Sequence, residues 1–281
     1  MRSRKSQRRI GDALTYLVFA LALVFFGGPL LWVLSLSIRT PQDVYITSLR
    51  LIPETPTLEN YTEVLYTAQF TIYLTNSLKL AVAGSVGAMV VSAPAAYAFS
   101  RLSFRGSGGL LVGVLGLQMV SPLVVVIPLY RYFDRLNLLD SYFSTSMVYI
   151  AILVPLATWM LKGFFDGIPP ALDEAAMVDG CTRFGAFRRV VLPLILPGLT
   201  SVFVLTAILA WGEFVVPYVL ISDPSRYPIS IGILNFQGNY ASNSTNILAA
   251  GGVLAMLPAI ATFVILQRFI VRALTSGAIK G

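Results

Sequence analysis

Long apolar blocks dominate this sequence and decide which solvent the chain can fold in. Six such blocks can be drawn, and four of them contain no charged side chain. Each is close to or above the ~20 residues that a helix needs to cross the ~30 Å hydrocarbon layer of a membrane. Only 12% of the residues are charged, whereas soluble domains average about 25%. We therefore predict an all-α membrane protein, because each segment inside lipid must satisfy its own backbone hydrogen bonds.

The blocks predict six transmembrane helices in a single domain that covers residues 1–281. The first block follows a basic stretch, as in a signal peptide, but it is too long for one and lacks a small-x-small cleavage pattern. Prolines inside several blocks predict kinks, which neighbouring helices can accommodate. The expected spans are residues 13–38, 72–100, 106–130, 141–161, 192–221 and 246–266.

Lysine and arginine are unevenly distributed among the connections between the spans. With the N-terminus on the cytoplasmic side, the inner connections hold fourteen of these residues and the outer connections hold five. Cytoplasmic loops carry such an excess of positive charge, so we expect both termini and the 162–191 segment in the cytoplasm. The basic residues form no single stripe, so the net charge of +7 does not indicate nucleic-acid binding.

The amino-acid inventory excludes several kinds of active site. The sequence has no histidine and a single cysteine, Cys181. Histidine-based metal sites, Ser-His-Asp or Cys-His catalysis and an internal disulfide are therefore impossible. We predict no catalytic, cofactor-binding or metal-binding residue in this chain.

The connection between the fourth and fifth spans, residues 168–191, has strong local signals for two short helices. Pro169 and Pro170 suit a helix start, and two acidic residues follow in the first turn, facing the positive end of the helix dipole. Gly180 can end this helix in the left-handed conformation, and Thr182 can cap the next one. Local rules leave two roles open: an amphipathic loop on anionic lipid, or a helix that docks on another protein.

A fixed spacing in this connection distinguishes the two roles. Residues 174–193 resemble the EAA signature of ABC importer permeases. They read Glu-Ala-Ala, three residues, Gly, nine residues and Val-x-Leu-Pro, and isoleucine is usual in the signature where Val190 stands. The matching positions are Glu174, Ala175, Ala176, Gly180, Val190, Leu192 and Pro193.

Further segments extend the resemblance over most of the chain. Asn60-Tyr61, the C-terminal residues 267–281 and residues 211–217 of the fifth span look like the shorter permease of maltose-type importers, except that Gly212 stands where asparagine is common. The resemblance implies a type I importer permease for a carbohydrate of the maltose, trehalose or glycerol-phosphate group.

In this family the short helix of the signature docks into a cleft of a cytoplasmic ATPase. The resemblance implies a charged contact by Glu174, packing of the following apolar residues in the cleft and a sharp turn at Gly180. It also implies a homologous second permease, an ATPase dimer that binds ATP and Mg, and an extracytoplasmic sugar-binding protein. The chain itself has no Gly-x4-Gly-Lys-Ser/Thr segment. The predicted coupling residues are Glu174, Ala175, Ala176, Met177, Asp179, Gly180, Leu192 and Pro193.

Two charges inside the spans and one outer loop are candidates for the pathway. Lys79 can reach the outer interface by snorkelling, whereas the shorter Glu213 can face the cavity, pair with Lys79 or contact the partner permease. Asn235, Gln237 and Tyr240 in the outer loop have side chains suited to sugars, although a solvated loop would look much the same.

Two rival functions remain at this stage. A self-sufficient secondary transporter would need coupling-ion groups in mid-membrane, where only Lys79 and Glu213 are available, and usually an internal repeat, of which we see none. A membrane-embedded enzyme is disfavoured by the lack of histidine and of clustered carboxylates within the spans.

Overall fold

The structure, a computed structural model, contains helices and no β-strand in the residues it describes, which are 2–45, 50–67, 69–102, 104–239 and 244–278. Side chains are described for these residues except 2–10, 13, 44–45, 67, 235–239, 244 and 265–278. The α-helices in this part of the chain are α1 (Arg2–Ser37), α2 (Pro41–Tyr45), α3 (Glu59–Thr67), α4 (Phe70–Arg101), α5 (Ser107–Gly116), α6 (Pro122–Arg135), α7 (Tyr142–Asp166), α8 (Ala171–Val178), α9 (Arg183–Ala186), α10 (Leu192–Leu194), α11 (Leu196–Trp211), α12 (Val215–Leu220), α13 (Ile229–Asn239) and α14 (Ser244–Ala278). Short 3-10 turns occupy Leu117–Met119 and Pro224–Arg226, and a π-helical turn occupies Phe187–Val191.

Four of the described helices are long and apolar enough to cross a membrane. They are the segments Leu14–Ser37 of α1, Phe70–Arg101, Tyr142–Asp166 and Thr245–Val264 of α14. Two bent pairs, Ser107–Met119 with Pro122–Arg135 and Arg183–Leu194 with Leu196–Trp211, raise the number to six if each pair is one span. The chain is therefore an all-helical membrane-spanning protein with four to six candidate spans.

The third predicted span is not one continuous helix. Its two halves meet at 86°, and the bend follows from Pro122. The ring of a proline pushes the preceding residue out of the helical region, and Ser121 accordingly has an extended backbone with φ −60° and ψ 132°. The sequence predicted a kink at this proline, whereas the structure has a complete break.

The fifth predicted span, residues 192–221, is also divided. A 77° bend separates α10 from α11, next to Pro197 in the first turn of α11. At its other end α11 stops at Trp211, and the chain leaves the helix through Gly212, Glu213 and Phe214 before α12 begins. Glu213 thus lies at a helix break. The hydropathy pattern had placed it inside a continuous span, and that expectation is wrong.

The described contacts group into two compact units, of which the first comprises Met1–Phe70 and Ile233–Met256. Asn60 is the centre of its polar core. The Asn60 side-chain amide donates to the carbonyls of Ser37 and Arg39 at 2.9 and 2.8 Å, and its oxygen accepts from the Asn246 amide at 2.8 Å. Tyr61 forms a 2.6 Å hydrogen bond with the Ser37 hydroxyl. The Asn60-Tyr61 pair therefore joins the end of α1, the start of α3 and the start of α14.

The second unit, Thr71–Gly232 and Leu257–Gly281, contains the close packing of α4 and α11 on α7. A Cβ atom added at Gly198 of α11 would lie 2.5 Å from the Phe164 ring of α7. α4 also contacts α7, because the Ser92 hydroxyl donates to the Val154 carbonyl at 3.2 Å. Small side chains at these contacts let helix backbones approach, as is usual for helices packed in a membrane.

The connection after α12 is fixed to the rest of the second unit by side chains of α4. Asn76 donates to the carbonyls of Ser225 and Tyr227 at 3.0 and 3.1 Å, and Ser77 accepts from the Ile229 amide at 2.7 Å. Within the same connection, hydrogen bonds from the Ser225 hydroxyl and backbone N–H lower the pKa of Asp223 below its ordinary value. The Ser230 hydroxyl donates to the Glu213 carbonyl at 2.9 Å, so the break that contains Glu213 is attached to the residues that follow this connection.

Candidate functional site

Residues 168–191, which we call the elbow, connect α7 to the bent pair α10–α11. α8 begins directly after Pro169 and Pro170, whose carbonyls accept the first helical hydrogen bonds from Leu172 and Asp173 at 3.1 and 2.9 Å. Asp173 and Glu174 lie in its first turn, where negative charge is favoured by the helix dipole. The predicted start of this helix is confirmed.

The end of α8 is a Schellman motif built on Gly180. Gly180 has φ +85°, a left-handed conformation that glycine adopts without steric cost. The Cys181 amide donates to the Ala176 carbonyl at 3.0 Å, and the Gly180 amide donates to the Met177 carbonyl at 3.1 Å, which is the bonding pattern of this motif. Thr182 then caps α9, because its hydroxyl accepts from the Gly185 amide at 3.1 Å. Both predicted roles, of Gly180 and of Thr182, are confirmed.

A buried cluster of polar side chains, which we call the clamp, fixes the start of α8 to the end of α4. Asp173 accepts a hydrogen bond from the Tyr97 hydroxyl at 2.6 Å and forms an ion pair with Arg101 at 2.7 Å. The Arg101 and Asp173 side chains are only 11% and 9% exposed. The same guanidinium donates to the Ile168 carbonyl at 2.8 Å. Removing one partner from a buried ion pair is strongly destabilising, so α8 is held firmly against α4.

The sequence pattern does not predict the clamp. Arg101 is one of the fourteen basic residues of the predicted inner connections, and Asp173 is one of the two acidic residues in the first turn of the predicted helix. The available signal was the spacing of Tyr97 and Arg101, which are four residues apart and therefore on one face of α4.

The elbow's second half is held by an aromatic cluster behind the clamp. The Tyr97 ring lies 4.9 Å from Phe187 and 5.6 Å from Phe165, between ring centroids. Phe187 belongs to the π-helical turn, a rare geometry that is frequent at functional sites. Phe165 and Phe187 are both buried in a core cluster that also contains Val191 and Ile195. Both halves of the elbow thus pack on spanning helices of the same unit.

The predicted coupling residues divide into exposed and buried positions. Ala176 is 5% exposed, so its methyl group is already covered by this chain and is not available to a partner's cleft, contrary to our expectation. Leu192 is half-buried at the start of α10. The exposed ones are Glu174, Ala175, Met177, Asp179, Gly180 and Pro193.

The exposed face of α8 is largely apolar at its C-terminal end. Met177 is 37% exposed and Val178 is 87% exposed, while Phe184 in α9 is 67% exposed. Exposed apolar side chains grouped in this way often mark an interaction site. Val178 and Phe184 were not among the residues predicted from the sequence.

The pathway candidates lie in different surroundings. The Lys79 ammonium lies 5.5 Å from the centre of the Tyr142 ring, and within the described residues no ion pair joins it to Glu213. Glu213 accepts hydrogen bonds from the Val215 and Val216 amides at 3.0 and 3.2 Å. Asn235 and Gln237 lie in α13, where their side chains are outside the described set, and Tyr240 lies outside the described residues altogether.

Comparison with known proteins identifies the family. Residues 86–276 match the family of binding-protein-dependent transport system inner membrane components. The sulfoquinovosyl glycerol transport system permease SmoH of Agrobacterium fabrum is 31% identical, over 96% of this chain and 95% of its own. The trehalose transport system permease SugB of Mycobacterium tuberculosis is 35% identical, over 90% and 92%. The trehalose/maltose transport system permease MalG of Thermococcus litoralis is 32% identical, over 90% and 91%.

Two solved structures share the fold. A bacterial ABC transporter involved in the import of the acidic polysaccharide alginate matches with a TM-score of 0.76 at 22% identity, covering 95% of this chain and 97% of that one. The alginate transporter in complex with its alginate pentasaccharide-bound periplasmic protein matches with a TM-score of 0.60 at 19% identity, covering 96% of each chain. The architecture is therefore that of a type I ABC permease.

The elbow with its signature spacing lies wholly inside the matched family region, and the relatives are similar over nearly their whole lengths. The chain belongs to the family of binding-protein-dependent transport system inner membrane components, which are membrane-spanning permeases of ABC transporters and not enzymes.

Proposed function

We propose that this chain is the permease subunit of an ABC importer that carries a sugar or sugar derivative into the cytoplasm. The relatives that support this proposal are named for sulfoquinovosyl glycerol, trehalose and trehalose/maltose, and the permease DasC of Streptomyces coelicolor, 32% identical over 97% of this chain, is named for diacetylchitobiose. All of these are carbohydrates or carbohydrate derivatives. The particular sugar differs among relatives of similar identity, so the proposal stops at the class.

The assembly we propose has this chain paired with a homologous permease, two copies of an ATPase and an extracytoplasmic sugar-binding protein. Because the sequence has no phosphate-binding loop, ATP and Mg are bound by the ATPase. The asymmetry of lysine and arginine between the connections supports an orientation in which the elbow and both termini face the cytoplasm.

In this proposal the elbow transmits movement from the ATPase to the membrane-spanning helices. The exposed face of α8, with Glu174, Ala175 and Met177, meets the ATPase. A movement of α8 reaches α4 through the clamp, since Arg101 and Tyr97 of α4 are bonded directly to Asp173. The clamp is the single observation that carries this mechanism: a partly exposed helix is joined to a spanning helix by buried, charge-assisted hydrogen bonds.

Co-purification tests the proposal. The tagged chain, purified from its native membrane, is expected to retain an ATPase whose hydrolysis rises when a sugar-loaded binding protein is added. Sugar uptake by the chain alone, driven by an ion gradient and independent of ATP, would instead support a secondary transporter.

A further inference from the structure

A half-open cavity of about 490 Å³ lies in the second unit, between the α5–α6 bend, α7 and the end of α11. Its walls are mainly apolar, with Leu129, Leu153 and Pro155 among the lining residues, but three polar side chains also reach it: Gln118, Tyr149 and Glu213. Its volume lies within the range of about 300–1,000 Å³ typical of small-molecule sites, which are mostly apolar with a few placed polar groups.

Two of the helix breaks in the second unit contribute residues to this cavity. Gln118 belongs to the 3-10 turn between α5 and α6, and Glu213 belongs to the break between α11 and α12. In secondary transporters, substrate sites near the bilayer midplane are typically formed by discontinuous helices, and the two breaks here likewise expose polar side chains between apolar helices. Gln118 and Glu213 are 95 positions apart in the sequence, yet both line the same cavity. The cavity is therefore formed by the tertiary fold and not by a single loop.

The three polar groups retain unused hydrogen-bonding capacity. The Glu213 Oε1 atom accepts from two backbone amides, while no contact to Oε2 occurs among the described residues. The Gln118 amide donates to the Ile152 carbonyl at 3.1 Å, which leaves its oxygen free to accept. The Tyr149 side chain is 3% exposed, and its hydroxyl has no hydrogen-bond partner in the part of the chain that the structure describes. Gln118 is exposed and Glu213 is half-buried, and both line the cavity together with Tyr149, so a polar ligand that enters the cavity can use their free oxygens.

The arrangement suits an uncharged, hydroxyl-rich molecule. A carboxylate and an amide oxygen accept from sugar hydroxyls, a tyrosine hydroxyl donates to them, and leucine and proline side chains cover apolar sugar faces. An anionic sugar would place a second negative charge beside Glu213 in surroundings of low dielectric constant, where like charges repel strongly. Building on the function proposed above, we propose that this cavity is a pathway subsite for an uncharged sugar unit, with Glu213 as the residue that disfavours acidic sugars.

Two adjacent valines allow the cavity to be mapped with a matched control. Val125 lines the cavity, whereas Val124, its neighbour on α6, does not, and both are substantially exposed in the isolated chain. Because Cys181 is the only cysteine of the chain, a Cys181→Ser background provides a chain without thiols. The variants Val125→Cys and Val124→Cys are then made in this background, in the complete importer reconstituted in vesicles.

Uptake of trehalose, maltose, diacetylchitobiose and an alginate trisaccharide by the reconstituted importer is measured first, to identify which of them it carries. A water-soluble trimethylammonium methanethiosulfonate is expected to label the Val125→Cys thiol about tenfold faster than the Val124→Cys thiol, because only the first is reached through water. Binding protein loaded with the imported neutral sugar is expected to slow labelling at Val125→Cys only. The proposal would be overturned if the two thiols were labelled at equal rates or if the Val125→Cys thiol were not labelled at all. It would also be overturned if the sugar-loaded binding protein did not change the labelling rate.

Glu213→Gln separates a sugar contact from a helix cap. Glutamine keeps the oxygen that caps α12 but loses the charge, so we expect import to fall about tenfold, a loss typical of one charge-assisted hydrogen bond, with binding-protein-stimulated ATP hydrolysis retained. Unchanged import would reduce Glu213 to a cap, and loss of import and hydrolysis together would give it an assembly role; either overturns the proposal. Faster import of the alginate trisaccharide than of the neutral sugars would contradict the uncharged class while leaving the importer function intact. ATP-independent sugar uptake by the chain alone would instead refute the importer function.

Discussion

Gly180 shows how one backbone angle shapes the elbow. With φ at +85°, any residue with a Cβ atom is strained, although no atom lies within 4 Å of the position a Cβ would occupy. The strain therefore comes from the backbone alone and not from crowding. Asparagine tolerates this region better than other side chains.

We expect Gly180→Ala to destabilise the elbow by about 1 kcal/mol, the usual cost of a left-handed residue, and Gly180→Asn to cost less. Gly163→Ala in α7 is the matched control, because it also has open space around the added methyl group but lies in a regular helix, where alanine is favoured over glycine. The measurement is the thermal denaturation midpoint of the assembled importer in detergent. Equal effects of Gly180→Ala and Gly163→Ala would refute the backbone explanation.

At Asp173 the burial of the ion pair sets the expected effect. Asp173→Asn should cost about 3 kcal/mol, because it leaves the Arg101 charge buried without its partner. The i,i+4 pair of Lys162 and Asp166, with side chains 28% and 45% exposed, is the control, since an exposed pair contributes well under about 1 kcal/mol. Lys162→Met should therefore leave the denaturation midpoint nearly unchanged.

The clamp should also affect coupling. In the Asp173→Asn importer we expect the ATPase to remain bound while its hydrolysis no longer responds to the sugar-loaded binding protein, because α8 can move without α4. A variant that is destabilised but still shows full stimulation would mean that the clamp is structural only.

Local residue roles could be predicted from the sequence because they depend on neighbours in the chain. The turn at Gly180, the cap at Thr182 and the prolines before α8 follow from the conformational limits of single residues. The Asp173 clamp could not be predicted in this way, since Tyr97 and Arg101 precede Asp173 by 76 and 72 residues. Likewise, the burial of Ala176 depends on how α8 packs against α9 and the π-helical turn.

At the scale of the helices, hydropathy located the apolar segments but not their directions. The α5–α6 pair and the α10–α11 pair have the composition of single spans, and no charged residue marks the points where they bend by 86° and 77°. Not every proline breaks a helix: Pro94 and Pro155 remain inside α4 and α7. The breaks at Pro122 and around Glu213 needed the structure, and both reach the cavity proposed above as a sugar subsite.

The close contact of α11 with α7 gives a prediction at this scale. Gly198→Ala would place a methyl group 2.5 Å from the Phe164 ring, so we expect a loss of about 1–3 kcal/mol from overpacking. Gly113→Ala in α5, where nothing lies within 4 Å, should instead be neutral or slightly stabilising. The two denaturation midpoints, compared in the same detergent, check this difference; a harmless Gly198→Ala would show that the helices can separate freely.

For the whole molecule, the exposed apolar surface is what distinguishes this chain from a soluble protein. None of the best span window of α1 is buried within the described structure, and side chains such as Phe25 and Phe26 are more than 70% exposed. Lipid and a partner permease are the surroundings that such a surface fits. Sequence composition was sufficient for this conclusion, because the solvent acts on the chain as a whole.

If the elbow is the mechanical joint to a separate ATPase, a double variant of its residues should disconnect the two. Glu174→Lys reverses the charge on the exposed face of α8. Gly180→Pro cannot adopt the required φ and lacks the N–H that bonds to Met177. The measurement is ATP-dependent sugar accumulation by the reconstituted importer, together with the amount of ATPase retained. We expect the variant to keep its partner permease but to lose the ATPase and accumulation; normal accumulation with the ATPase still bound would contradict the account.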